Sequence, residues 1–344
     1  MVKLIRENLT FNDVLMKPQY SEIRSRSEID LSVSLSKGLK FKIPVFPSNM
    51  KTVMNELVAD KMYSLGGLSL LHRFIGIDEQ ILILKSLRRK YDDAFNFIGA
   101  SIGVKKDDYE NLEKFINLGV KILCIDIAHG DSIQCIEMIK HIHKTFPYVF
   151  LIAGCIATEK AACRLWSTGA DAVRINLGPG SICTTRIQTG HGVPQFSALL
   201  DVHTHRTQCG FHNSGKYIIA DGGCSKIGDL VKSLSLADMI MSGNMFAGAE
   251  ETPGEVLEKN GKFFKRYDGS STHKTEFIEG VKSLVPVKGK IKDVVNNMLQ
   301  GIASGCSYSG AHNLKELQER AEFIKITNAG WRESDAHDVL VVPE

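Results

Sequence analysis

Eight short apolar runs, most of them separated from the next by one helical stretch, constrain this chain more than any other feature. They read IPVFPSN (43–49), LSLLH (68–72), FNFIGAS (95–101), KILCIDIA (121–128), YVFLIAG (148–154), DAVRINL (171–177), KYIIADGG (216–223) and ADMIMSGN (237–244). Each run is continuous rather than alternating, the pattern of a strand buried on both faces. Between them, DDYENLEKFINLG (107–119) and SIQCIEMIKHIHKTF (132–146) repeat apolar residues at helical spacing. TEKAACRLWSTG (158–169) opens on a threonine cap and closes on Gly169. Buried strands alternating with helices predict an α/β fold of the (β/α)8 barrel, or TIM barrel, type. The 344 residues suit one such barrel of ~250 residues with insertions. No composition break marks a second domain, so 1–344 is expected to form one barrel domain.

Composition narrows the function. Lys+Arg 42 against Asp+Glu 39 gives a net charge of +3, which argues against nucleic acid as the main partner. No apolar run approaches ~18 residues, so no membrane span is expected. The first residues, MVKLIRENLT, lack an apolar signal core, which predicts a protein that is not secreted. Eight cysteines are scattered with no C-x-x-C pair, so reduced thiols in a cytoplasmic compartment are expected. The eleven histidines show no metal-ligand spacing, and no transition metal is implied. No G-x-G-x-x-G follows the first strand, so any dinucleotide would be bound without a Rossmann unit.

In a (β/α)8 barrel the chemistry sits at the carboxyl ends of the strands, and here those ends are small and polar. The sixth strand runs into LGPGSICTTR (177–186), which places Cys183 on a glycine-rich loop at that face. An isolated cysteine is more often buried and inert, but a thiol in such a loop can act as a nucleophile. Ser181 could hold a phosphate oxygen. ADGG (220–223) closes the seventh strand, where Asp221 can accept two ribose hydroxyls and Gly222 and Gly223 let backbone N–H groups approach a phosphate. SGN (242–244) adds Gly243 and Asn244 at the eighth strand. The Gly/Ser/Lys-rich stretch 267–289 reads as a mobile lid; Glu279 is its carboxylate best placed to reach a base edge, although a solvated loop glutamate is the default meaning of such a residue. His72 and Arg73 end the second strand, where a histidine is as readily a packing residue as a ligand, and Arg26 lies near the barrel entrance, where a solvated charge is the commoner meaning.

Together these segments resemble the inosine-5′-monophosphate dehydrogenase and GMP reductase family. The resemblance runs from FNDVLMKP (11–18) through SRSEIDL (25–31), SNM, IDIAHG, GPGSICTTR and ADGG to GCSYSGAHNLKEL (305–317). It implies a barrel whose loop cysteine attacks C2 of a purine nucleotide, GMP or IMP, while a nicotinamide exchanges hydride at that carbon. Thr185 and Glu279 are implied as the proton relay. Ser181, Asp221, Gly222, Gly223, Gly243, Asn244, Tyr267, Ser270 and Gly280 are implied on the nucleotide. Ser25, Arg26, Arg73, Asp126, Ile127 and Ala128 are implied at the dinucleotide. Ser304, Gly305, Cys306 and Ser307 are implied at a neighbouring subunit's dinucleotide, hence a homotetramer. A potassium ion is implied on carbonyls of Gly178, Gly180 and Cys183, with Arg186 in the same set.

Dehydrogenases of the family hydrolyse their adduct with an arginine beside a tyrosine on a long lid and usually carry an inserted regulatory region. Here the lid, STHKTEFIE (271–279), is short and has no arginine, and no inserted region is present. The expectation is therefore an NADPH-dependent GMP reductase, with an IMP dehydrogenase or a non-catalytic nucleotide sensor as alternatives. The chain departs from the family at Lys51, where aspartate is usual, at Asn176, where glycine is usual, and at Asn244, where a small residue often sits. No role is assigned to the tail 331–344.

Overall fold

The computed structural model describes residues 5–269 and 280–339. Its core is an eight-stranded parallel sheet rolled into a nearly closed barrel: β1 Val45–Pro47, β2 Ser69–Leu71, β3 Ile98–Ile102, β4 Ile122–Asp126, β5 Phe150–Ile156, β6 Ala172–Ile175, β7 Tyr217–Asp221 and β8 Met239–Ser242. The ladder runs in sequence order from β2 to β8 and then back to β1, with Ile240 opposite Val45. All eight predicted strands are present, with ends shifted by a few residues. β3, for example, starts at Ile98 because Ala94–Asn96 forms a tight helical turn before it.

The helices that follow the strands are α1 Glu56–Ser64, α2 Ile77–Lys90, α3 Lys106–Leu118, α4 Ile133–Thr145, α5 Glu159–Thr168, α6 Gln195–Gln208, α7 Ile227–Leu234 and α8 Ile291–Tyr308. Their inward faces follow from residue spacing. In α4, Cys135, Met138, Ile139 and Ile142 recur at i, i+3, i+4, i+7 and are all buried. Thr158 caps α5 by accepting from the Ala161 N–H at 3.3 Å, and Gly169 ends it with a positive φ, as the sequence indicates.

Two additions frame the barrel. The segment read as a lid begins and ends as a sheet: Lys262–Asp268 pairs antiparallel with Leu257–Lys259 on one side and with Lys282–Pro286 on the other. Only 269–281 is left as the connection, and its Ser270 and Glu279 lie outside the described residues. At the far end of the chain, Asn328–Arg332 is helical and docks on the start of α7. There the Lys226 ammonium lies 4.4 Å from the Trp331 ring centre and 3.3 Å from the Asp335 carboxylate. Residues 340–344 of the tail lie outside the described residues. No helix among the described residues is long and apolar enough to cross a membrane.

Candidate active site

A cleft of about 320 Å³ opens at the carboxyl ends of the strands. Cys183 lies on its wall, on the loop that follows β6. Gly178 holds φ +89°, which suits glycine, and the Cys183 N–H donates to the Gly180 carbonyl at 3.0 Å, closing a tight turn. The thiol donates to the Thr185 hydroxyl at 3.2 Å. The hairpin is tied to this loop. Gly280 bridges Cys183, and the Val281 N–H donates to the Ile182 carbonyl at 3.1 Å.

The other cysteines divide by burial. Burial pushes Cys124 up to about 11 and Cys135, Cys224 and Cys306 up to about 12, so these thiols stay protonated at neutral pH. Cys155 also lines the cleft, and burial raises its pKa too. All eight cysteines are free.

A chain of charges crosses the mouth of the barrel. Arg73 lies over the Phe74 ring at 4.6 Å and donates from Nε to the Asp126 carbonyl at 2.9 Å. Arg174, only 4% exposed, donates from Nη1 to Asp126 Oδ1 at 2.8 Å. It also donates from Nε and Nη2 to Asp221 Oδ2 at 3.2 and 2.7 Å. Asn176 adds an Nδ2 donor to the same oxygen at 3.1 Å. Burial opposes the charge on Arg174, but Asp221 and its other anionic neighbours outweigh it and hold the guanidinium protonated.

The structure brings part of the expected site together in one cleft. Gly178, Gly180, Cys183 and Thr185 share the cleft with Asp221, Gly222, Gly243 and Tyr267. Burial, with Asp221 nearby, raises the Tyr267 phenol, so it stays neutral and can donate. Arg73, Asp126, Ile127 and Ala128 also line the cleft. The apolar pair Ile127 and Ala128 beside a cation fits the flat face and amide of a nicotinamide.

Other expectations are redirected. Ser181 is exposed on the loop and does not line the cleft. Gly223 opens instead onto a smaller neighbouring cavity with Pro179 and Arg186. Asn244 presents its carbonyl to the Lys288 ammonium. Arg186 donates to the Val193 carbonyl at 2.9 Å; a guanidinium carries donors only, so its side chain braces the loop and cannot ligate a cation. The loop does offer main-chain oxygens at Gly178, Gly180 and Cys183, the donor type a hard cation takes.

Ser25 and Arg26 form a short turn against α8, away from the cleft, so Arg26 and Arg73 do not line one site within this chain. In the last turns of α8, Gly305 packs on Val231 and Cys306 is fully buried. Ser304, Gly305 and Ser307 are partly exposed.

Sequence reasoning missed Arg174, Cys155 and Phe74. A lone arginine inside the apolar run DAVRINL was the available signal for the first. Cys155 and Phe74 gave none, since one is a scattered cysteine and the other a common core residue.

A (β/α)8 barrel whose strand-end cleft gathers a loop thiol, Asp221 and Arg73 has the form of an enzyme site. The chain matches the IMP dehydrogenase / GMP reductase domain family over residues 8–337, and it belongs to that family. It is 34% identical to an inosine-5′-monophosphate dehydrogenase of Borreliella burgdorferi, over 99% of each chain. It is 37% identical to a GMP reductase of Clostridium acetobutylicum, over 93% of this chain and 96% of that one. A GMP reductase from Trypanosoma brucei, a cysteine-to-alanine variant solved with guanosine 5′-monophosphate, superposes with a TM-score of 0.88 at 29% identity. That alignment covers 98% of this chain and 99% of that one.

Proposed function

We propose that this enzyme is a GMP reductase that converts GMP to IMP and ammonia at the expense of NADPH. The observation that carries this reading is the hairpin. Its arms pair as far as Asp268 and Lys282, so the connection is confined to GSSTHKTEFIEGV, which contains no arginine. A dehydrogenase must activate water to hydrolyse its adduct, and the family's water-activating arginine has no counterpart here. A reductase has to expel ammonia instead, which requires a proton donor.

The chain supplies the parts. Cys183 attacks C2 of the purine, and its hydrogen bond to Thr185 gives the thiol proton a route outward. Thr185, with Glu279, delivers a proton to the departing amine, because an amide anion cannot leave at neutral pH. Asp221 Oδ2 is taken by Arg174 and Asn176, which leaves Oδ1 for the ribose hydroxyls. Gly222 and Gly243 let the backbone approach the phosphate, with Tyr267, Ser270 and Gly280 completing the nucleotide site. Arg73, Asp126, Ile127 and Ala128 hold the nicotinamide, and the reduced dinucleotide supplies one hydride to C2 when bound. Departure of the Cys183 thiolate then releases IMP.

Carbonyls of Gly178, Gly180 and Cys183 would hold potassium and stiffen the loop. Ser25, Arg26, Ser304 and Ser307 lie away from the cleft, which supports a role at a neighbouring subunit's dinucleotide and a homotetramer. The free cysteines support a cytoplasmic enzyme. The test is to assay both directions with product identification. GMP-dependent loss of NADPH is expected, and IMP-dependent formation of NADH with XMP as product would replace this reading by the dehydrogenase.

A further inference from the structure

Asp126 and Asp221 stand at the ends of β4 and β7, two strands that do not touch. One side chain joins them. Arg174 on β6 spends Nε and Nη2 on Asp221, and it spends Nη1 on Asp126 and on the Cys124 sulfur at 3.4 Å. To reach Asp126 it must cross β5, and it does so at Gly154, where an added Cβ would lie 2.6 Å from the Arg174 Cβ. The guanidinium is a rigid plane, so its donors cannot move independently. A carboxylate that shifts on one side tilts the donors offered to the other. Arg73 extends the chain on the Asp126 side, and Asn176 ends it on the Asp221 side.

We propose that Arg174 is a positioning residue that couples the nucleotide half of the cleft to the dinucleotide half, so that each ligand tightens the other's site. This rests on the proposed function in one respect: Asp221 faces the nucleotide ribose and Asp126 faces the dinucleotide. Arg174 lies in the wall of the cleft, and its Nε, Nη1 and Nη2 donors are directed at protein groups. Its effect reaches the two ligands through the orientation of two carboxylates, and a coupling of this kind is reciprocal.

The test uses IMP with a reduced dinucleotide, NADPH or NADH, a pair with no hydride transfer open to it in either direction of the family's chemistry. In the wild-type enzyme, saturating dinucleotide should lower the IMP Kd by about fivefold or more, the low end of usual coupling. Arg174→Lys keeps the charge but holds only one carboxylate at a time, and it should bring that ratio close to one while the melting temperature stays near wild type. Loss of stability with the ratio intact would mean a merely structural arginine and would overturn the proposal, as would a ratio of one in the wild type.

Should Arg174→Lys fail to fold, Asp126→Asn provides the second reading. It should weaken IMP binding measured without any dinucleotide, and unchanged IMP affinity would overturn the proposal. The reductase assignment fails separately, through absence of GMP-dependent NADPH oxidation in the unaltered enzyme, and that outcome leaves the IMP titrations interpretable.

Discussion

Cys183 and Arg174 show what single residues contribute and what a sequence reveals of them. The thiol was legible because nine consecutive loop residues surround it in a recognisable order. Arg174 was not, because a charge inside an apolar run reveals its partners only when the strands are in register. Asp221 was legible as a strand-end carboxylate, but that one of its oxygens is already engaged by Arg174 and Asn176 is a product of the fold. At this scale the prediction concerns the nucleophile. Cys183→Ser should keep GMP binding within a few-fold, since the phosphate and ribose contacts lie elsewhere, and should abolish turnover. Equilibrium binding and steady-state rates on the same preparation check it, and near-normal turnover would remove the covalent step.

Among the elements, the hairpin differs most from its expected form. A Gly/Ser/Lys-rich stretch reads as a loop, yet its ends join a three-stranded sheet because Tyr267 and Val285, with the buried Lys265, share the face that packs on the barrel. Pairing between its strands could not be read from so irregular a pattern, whereas the buried barrel strands announced themselves by composition. The two arms of the hairpin approach each other at two glycines, where a Cβ on Gly280 would lie 2.9 Å from the Gly269 Cα, and Gly280 also bridges Cys183. Gly280→Ala should therefore push the arms apart next to Cys183 and misplace the thiol. A misplacement of about 1 Å can cost on the order of 100-fold in rate. The expected outcome is a fall of that order in kcat with little change in melting temperature; unchanged kcat would show that the hairpin does not set the position of Cys183.

For the molecule as a whole, the strand count and order were legible, while the chain's ionic architecture was not. His72 illustrates the difference, since nothing in LLHRF says that its ring is buried with Nδ1 unpartnered. Burial, with only partial relief from Asp126 and a further push from Lys51, lowers its pKa from 6.5 to about 4. The folded state thus holds this ring neutral where the unfolded chain would protonate it. Stability is complete above pH 6.5 and declines as pH falls from 6.5 toward 4, by about 3 kcal/mol in all. His72→Asn should flatten this part of the pH profile, measured by denaturant unfolding between pH 7 and 4, and an unchanged slope would contradict the assignment.

The most direct test of the central claim follows the hydrogen itself. With GMP and NADPH deuterated at the transferable C4 position, the enzyme should form IMP carrying deuterium at C2, with one ammonia released for each NADPH consumed. IMP without deuterium at C2, or XMP formed from IMP with no reduction of GMP, would contradict the account.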